Sequence, residues 1–459
     1  MKMVSLLEGS ITYPAKDEFE KPLYEVLAVR FLNWFLPFTS KNNKVHDRVA
    51  LRNDIRHGLK DNVKQPWEGR WHQPLSDRSM TRLFFYHQGH FKTRTIREED
   101  SYHSIDGVRI AYIADLTFFK SMKYRDDLDN LGCKVFFDGD KNIRFIENTD
   151  GSIIFPDTPR WEHAKQKARS SLFTEVALEH LNHYHLTWGN VPGQALRMFL
   201  PPTNPLRIAL TAHFFRTHQT CLQARDFLVN KRGPLGRALP FDYEDGWKKA
   251  LVGMMENFRF KFWPDEIEDR GIDFTVGATD ALGLHTVMTR YASGLVDEAY
   301  PDVSTFEEDT DLQKSYFYLV EKLPGVPVEY TMDNVKRVWG EILFRVTGGH
   351  SSVGNAAIAA IEPFFVNFRQ TTNDDWSIVE GSREVIYVVS VITGLTMPNE
   401  YPSLAQNWTQ VLHDEDSAAY SQLRLDLAQL GDEIDERNNE REFVNVDFHP
   451  EFAAISIFS

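Results

Sequence analysis

From Trp161 onward the apolar residues recur with the period of an α-helix, and this pattern limits the fold more than any other feature of the chain. The helical stretches are 161–189, 204–231, 243–260, 278–299, 333–361 and 415–437. They are not separated by regularly alternating strands, which argues against a parallel α/β sheet. Ahead of them stands a short β signal. The run from Lys134 to Phe155 has β-rich pieces broken by Asp138-Gly139-Asp140 and Asp150-Gly151, which read as hairpin turns. Residues 1–100 read as an N-terminal helical and irregular extension packed on the core, and residues 101–459 as the main domain, one structural unit. The expected fold class is mainly α, with a small β-hairpin element near residues 108–155.

Charge narrows the partners. With 51 basic and 66 acidic residues the net charge is −15, so phosphate backbones should be repelled and nucleic acid is not an expected partner. Hydrophobic residues make up 42% of the chain, with 33 Phe, enough for a deep core and an apolar cavity besides. Two cysteines, Cys133 and Cys221, are too few for a disulfide framework or a thiolate metal site. The first residues lack the apolar run of a signal peptide, and a cytoplasmic protein is expected. In the stretch 23–38, Leu27, Phe31, Trp34, Phe35 and Phe38 form one helical stripe. It reads either as a packed helix or as peripheral membrane contact that admits a lipid-like substrate.

Sixteen histidines are spread along the chain, and most should be ordinary. The cluster His180, His183 and His185 stands apart because it lies within a long helical stretch among apolar neighbours. Residues five apart diverge by about 140° on a regular α-helix, so His180 and His185 converge only where the helix widens locally into a π-bulge. His180 and His183 already share a face and form the alternative pair. A solvated polar face is the bland reading. Farther on, His350 leads an Ala-rich apolar helix, and Asn355 could add an amide oxygen to the same centre. Imidazole with oxygen ligands and no thiolate suits Fe, Mn or Zn, with iron fitting best where positions stay open for O2 chemistry.

These residues, in this order, resemble the lipoxygenase family. His180-x4-His185 follows a Trp161-x-x-Ala164-Lys165 lead-in, and the segment Asn204 to His213 is similar to a His-Pro-Ile-x-x-x-Leu-x-x-His landmark with Asn204 in place of the first His. Ala224-Arg225-Asp226-Phe227-Leu228-Val229-Asn230 with Gly233 resembles the helix that lines the family's substrate channel. Asp311-Leu312-Gln313, His350-Ser351-Ser352-Val353 and Ile434-Asp435-Glu436-Arg437-Asn438 resemble three later landmarks. No counterpart of the family's N-terminal lipid-binding β-barrel is expected, so the likeness is to its compact form.

The resemblance implies a lipoxygenase-like helical catalytic domain holding non-haem Fe, with Mn the alternative metal. Its implied ligands are His180, His185, His350, Asn355 and the Ser459 carboxylate, and its implied channel residues are Gln223, Phe227, Leu228 and Lys231. The implied reaction inserts O2 into a polyunsaturated fatty acid or similar lipid, after hydrogen abstraction by ferric hydroxide, to give a hydroperoxide. Departures are visible. Gly354 stands where the family has Asn, His or Ser, with Asn355 one residue late, and two residues, Phe458 and Ser459, follow the familiar Ile455-Ser456-Ile457 ending. Gln223, Lys231 and Arg232 make the channel helix more polar and suggest an oxygenase of a non-fatty-acid substrate as the alternative. A serine hydrolase using Ser351 is a further alternative, because Gly349-His350-Ser351-Ser352-Val353-Gly354 approximates a nucleophile elbow with its second Gly one residue late. A di-iron carboxylate site would need paired Glu-x-x-His motifs, which His180 and His350 lack.

Overall fold

Asp-Gly turns close two hairpins of a small antiparallel sheet. The computed structural model describes residues 76–126, 128–214, 239–354, 403–406 and 417–457, together with isolated positions in 217–236 and residues 366 and 368. The stretch 23–38 lies outside the described residues. Six strands form the sheet: β1 (Thr93–Thr95), β2 (Ser104–Ile105), β3 (Val108–Asp115), β4 (Cys133–Asp138), β5 (Ile143–Asn148) and β6 (Ile153–Ile154). Their order is β1-β3-β4-β5-β6, with β2 paired to β3. At the β4–β5 turn the Asp138 carboxylate accepts from the backbone N–H of Asp140 and Asn142, at 3.0 and 2.9 Å. Gly151 turns the next hairpin at φ 82°, a conformation that a Cβ would oppose.

The two-residue period of the strands divides the side chains between two cores. Cys133, Val135 and Phe137 face the main core, where Phe137 meets Phe84 and Phe85 at 5.5 and 5.1 Å between ring centroids. Phe136 and Phe145 stack at 4.3 Å on the opposite face, in a satellite cluster with Ile110 and Ile113. Phe84 and Phe85 belong to α1 (Asp77–Phe85).

The helices named next frame the main core: α2 (Trp161–Glu179), α3 (Val276–Ala299), α4 (Met332–Phe344) and α5 (Ala418–Glu440). The lead-in to α2 fastens it to α1, because the Asp77 carboxylate accepts from Trp161 Nε1 at 2.8 Å and from Lys165 Nζ at 2.7 Å. Thr275 caps α3, its hydroxyl accepting from the Ala278 N–H. Small residues bring the last three helices close together. A Cβ at Gly340 of α4 would stand 2.7 Å from the Thr289 Cα of α3, and one at Gly283 of α3 would stand 2.9 Å from Leu430 Cδ1 of α5. Because its obstacle is backbone, Gly340→Ala is expected to destabilise by about 1–3 kcal/mol despite alanine's better helix propensity. Urea unfolding checks this, and an unchanged midpoint would count against the tight α3–α4 contact.

Two core histidines are structural. His90 is fully buried among Phe91, Trp263 and Phe448, and its Nδ1 donates to the His87 carbonyl at 2.8 Å. Burial, aided by the Arg270 charge, lowers its pKa to about 4. Burial likewise lowers His213 to about 4, against a hydrogen bond from its Nδ1 to the Ile455 carbonyl at 2.9 Å. Both are neutral in the folded state, whereas the unfolded chain takes up these protons near the ordinary histidine value. Stability should therefore be complete above about pH 6.5 and fall as the pH drops toward 4. Urea midpoints at about pH 7 and about pH 5 test this, with the lower midpoint expected at the lower pH.

Candidate metal centre

The helix that begins at Trp161 widens into a π-helix over His180–Gly189. Local side chains support the widened turns. Thr187 Oγ1 donates to the Asn182 carbonyl five residues back at 2.8 Å, and Asn182 Nδ2 donates to the Leu178 carbonyl at 2.9 Å. Cys221 Sγ donates to the His185 carbonyl at 2.9 Å. This widening was the condition for His180 and His185 to meet, and they do. A second π-helix, Arg345–Gly349, delivers His350 to the same point, with Thr347 Oγ1 donating to the Leu343 carbonyl at 2.6 Å.

His180 Nε2 lies 2.8 Å from His350 Nε2 and 3.0 Å from His185 Nε2, and His350 Nε2 lies 3.3 Å from His185 Nε2. Each Nε2 carries either a proton or a lone pair, never both, so this triangle cannot close as a ring of hydrogen bonds. A shared cation would resolve it. Two nitrogens each about 2.1 Å from one ion and about 90° apart would be about 3.0 Å from each other, which fits the spacing here. Burial lowers the pKa of His180 to about 4, so its ring is neutral near pH 7 and able to ligate. Among the described residues these three histidines are the group placed to hold a metal ion.

The other sequence candidates divide clearly. His183 turns away, its Nε2 donating to the Met254 carbonyl at 3.0 Å, so the His180–His183 pair is not the one that forms. Asn204 caps the helix Pro205–Thr211: its Oδ1 accepts from Arg207 N at 3.1 Å, while its Nδ2 reaches Tyr300 and Asp309. Ser351 sits in the helical turn His350–Gly354 and accepts from the Ala454 N–H at 2.9 Å, a tether for the chain end rather than a strand-to-helix elbow. Asn355, Ser459, Gln223, Phe227, Leu228 and Lys231 lie outside the described residues.

The end of the described chain is led toward this centre. Asn438 and Asn445 exchange hydrogen bonds, Asn438 Nδ2 donating to the Asn445 carbonyl at 2.8 Å and Asn445 N to Asn438 Oδ1 at 3.0 Å. Buried Asp280 accepts from Arg441 at 2.7 Å and Asn445 Nδ2 at 2.9 Å. Ile455, Ser456 and Ile457 are buried, and a Cβ at Gly189 would stand 3.0 Å from Ile457 Cδ1.

One network escaped the sequence reading. Arg345 opens the second π-helix and is ion-paired with Glu341 at 2.6 Å and Glu266 at 2.8 Å. It also lies near Tyr184, the neighbour of His185, and over the Trp188 and Trp263 rings. Glu341 further accepts from His285 Nε2 at 2.9 Å and Trp263 N at 2.8 Å. One guanidinium thus touches both histidine-bearing segments. The i,i+4 spacing of Glu341 and Arg345 was visible in sequence; their distant partners were not.

No family-level sequence profile matches the chain. The mouse (Mus musculus) polyunsaturated fatty acid lipoxygenase ALOX15 is 31% identical over 160 residues, covering 33% of this chain and 24% of that protein. The pig (Sus scrofa) protein of the same name is 28% identical over 172 residues, covering 35% of this chain and 25% of its own length. The matched stretches thus span about a quarter of those relatives. Solved structures agree over far more of the chain. A calcium-dependent 11R-lipoxygenase superposes with a TM-score of 0.75 at 16% identity, covering 96% of this chain and 73% of that one. The chain has a lipoxygenase-like fold in a divergent sequence. Coral 8R-lipoxygenase gives a TM-score of 0.75 at 15% identity, covering 94% of this chain and 72% of that one. The expected mainly helical, lipoxygenase-like architecture with its small antiparallel sheet is therefore the one observed. No described helix is long and apolar enough to cross a membrane.

Proposed function

We propose that this chain is a non-haem iron dioxygenase that inserts O2 into a polyunsaturated fatty acid or a similar lipid to give a hydroperoxide. The observation that carries the reading is the triangle of His180, His185 and His350 Nε2 atoms, 2.8–3.3 Å apart at the meeting of two π-helices. The names of the ALOX15 relatives and a lipoxygenase structure solved with arachidonate support a fatty acid as the substrate class. Iron, when bound, supplies a one-electron oxidant able to take a hydrogen atom from a weak C–H bond. Manganese is the alternative metal.

The chain's own residues do the rest. Neutral imidazoles from His180, His185 and His350 hold the ion with no added charge. The π-helices fix the three rings, and Arg345 ties those helices together. The buried Tyr184 ring lies 6.3 Å from that of His350 and helps keep water from the centre. The proposal extends to Asn355 and the Ser459 carboxylate as further ligands. It assigns Gln223, Phe227, Leu228 and Lys231 to the substrate channel, and includes a cytoplasmic location with peripheral membrane contact through residues 23–38.

Protein loaded with ferrous ion, oxidised to the ferric state with one equivalent of a fatty-acid hydroperoxide and then mixed with linoleate or arachidonate and O2, tests this reading. Conjugated-diene absorbance is expected to rise with matching O2 uptake. Fully iron-loaded protein that consumes no O2 with either lipid would remove the fatty-acid assignment and favour the non-fatty-acid alternative.

A further inference from the structure

The three histidines are not sheltered evenly. The contact between His185 and His350 is buried, whereas both contacts made by His180 Nε2 are only partly so. Gly354 ends the helical turn that starts at His350 and is itself half-buried. A Cβ placed on it would stand 2.5 Å from His180 Nε2, 2.9 Å from Cε1 and 3.1 Å from Cδ2. Any other residue here would direct its side chain at the ligating atom. The helical backbone does not ask for glycine, which is a poor helix former, so the requirement at this position is for space.

We propose that Gly354 keeps one coordination position open beside His180 Nε2, on the less sheltered side, and that a small anionic donor of the azide or carboxylate class binds the metal there. The inference rests on the metal reading and adds to it where an exogenous ligand enters and what its chemistry is. Charge favours an anion. The described ligands are three neutral histidines, and even with the Ser459 carboxylate added a divalent ion would keep a net positive charge for an anionic ligand to meet.

Cobalt(II) loading followed by azide titration, read by visible absorption, tests the inference without any turnover. Wild-type protein is expected to bind one cobalt, to lose it in His350→Ala, and to show a saturable azide-dependent spectral change. Failure to bind cobalt would overturn the metal reading and this inference together. Stoichiometric, His350-dependent cobalt with no response to azide would overturn the inference alone. Gly354→Ala is expected to weaken either azide or cobalt binding at least about tenfold, because the new methyl fills the position or pushes His180 away. Wild-type affinity for both in that variant would overturn the inference. Gly253→Ala is the control: its Cβ would meet only Phe118 Cζ at 3.5 Å, an ordinary contact, so both titrations should stay unchanged.

Discussion

Replacing His185 by alanine is expected to lower the affinity for ferrous ion at least about 100-fold, the upper end of the loss seen when a residue merely supports a metal ligand. Its Nε2 is one corner of a triangle only 2.8–3.3 Å on a side, and among the described residues no fourth histidine, cysteine or carboxylate joins that group to substitute for it. The fold should survive, because the π-helix around it is held by Thr187, Asn182 and Cys221 rather than by the imidazole. His183→Ala makes the discriminating comparison. That ring serves the Met254 carbonyl, and its loss should leave iron affinity unchanged. Anaerobic calorimetric titration with ferrous ion checks both. The reverse pattern would return the site to the His180–His183 pairing.

Glu341→Ala is expected to cost about 3–5 kcal/mol of folding stability, the range for removing one partner of a buried ion pair. Glu341 is fully buried and meets Arg345, His285 and the Trp263 N–H. Burial alone would raise its pKa, yet the Arg345 charge and the His285 hydrogen bond hold it below the ordinary value, so it is ionised in the fold. Removing it leaves Arg345 with Glu266 as its remaining ion-pair partner among the described residues and orphans two buried N–H groups. Because Arg345 touches both π-helices, metal affinity should fall as well. Urea unfolding of the metal-free protein measures the first effect separately from the second. A midpoint within error of wild type would mean that the network adds little.

What the sequence could show depended on the range of the interactions involved. The convergence of His180 and His185 was legible because five-residue spacing on a helix has only one local remedy, a wider turn. The hairpins at Asp138-Gly139 and Asp150-Gly151 were equally local, set by short Asp side chains and a glycine at positive φ. His350 could be joined to the other two only through the ordered resemblance, since 165 residues separate it from His185 and no spacing rule reaches that far. Asn204 looked like a lost ligand and is a helix cap, a role in which Asn is as favourable as any residue. The Arg345 network was hidden for the same reason as His350: its members come from segments far apart in the chain, and only the fold brings Glu266, Trp188 and Trp263 together around one guanidinium.

The most direct test of the central claim is X-ray absorption at the iron edge of protein reconstituted with ferrous ion and then desalted. One retained iron per chain is expected, bound by three imidazole nitrogens, from His180, His185 and His350. Iron washed out by desalting, or a bound ion with fewer than three imidazoles around it, would contradict it.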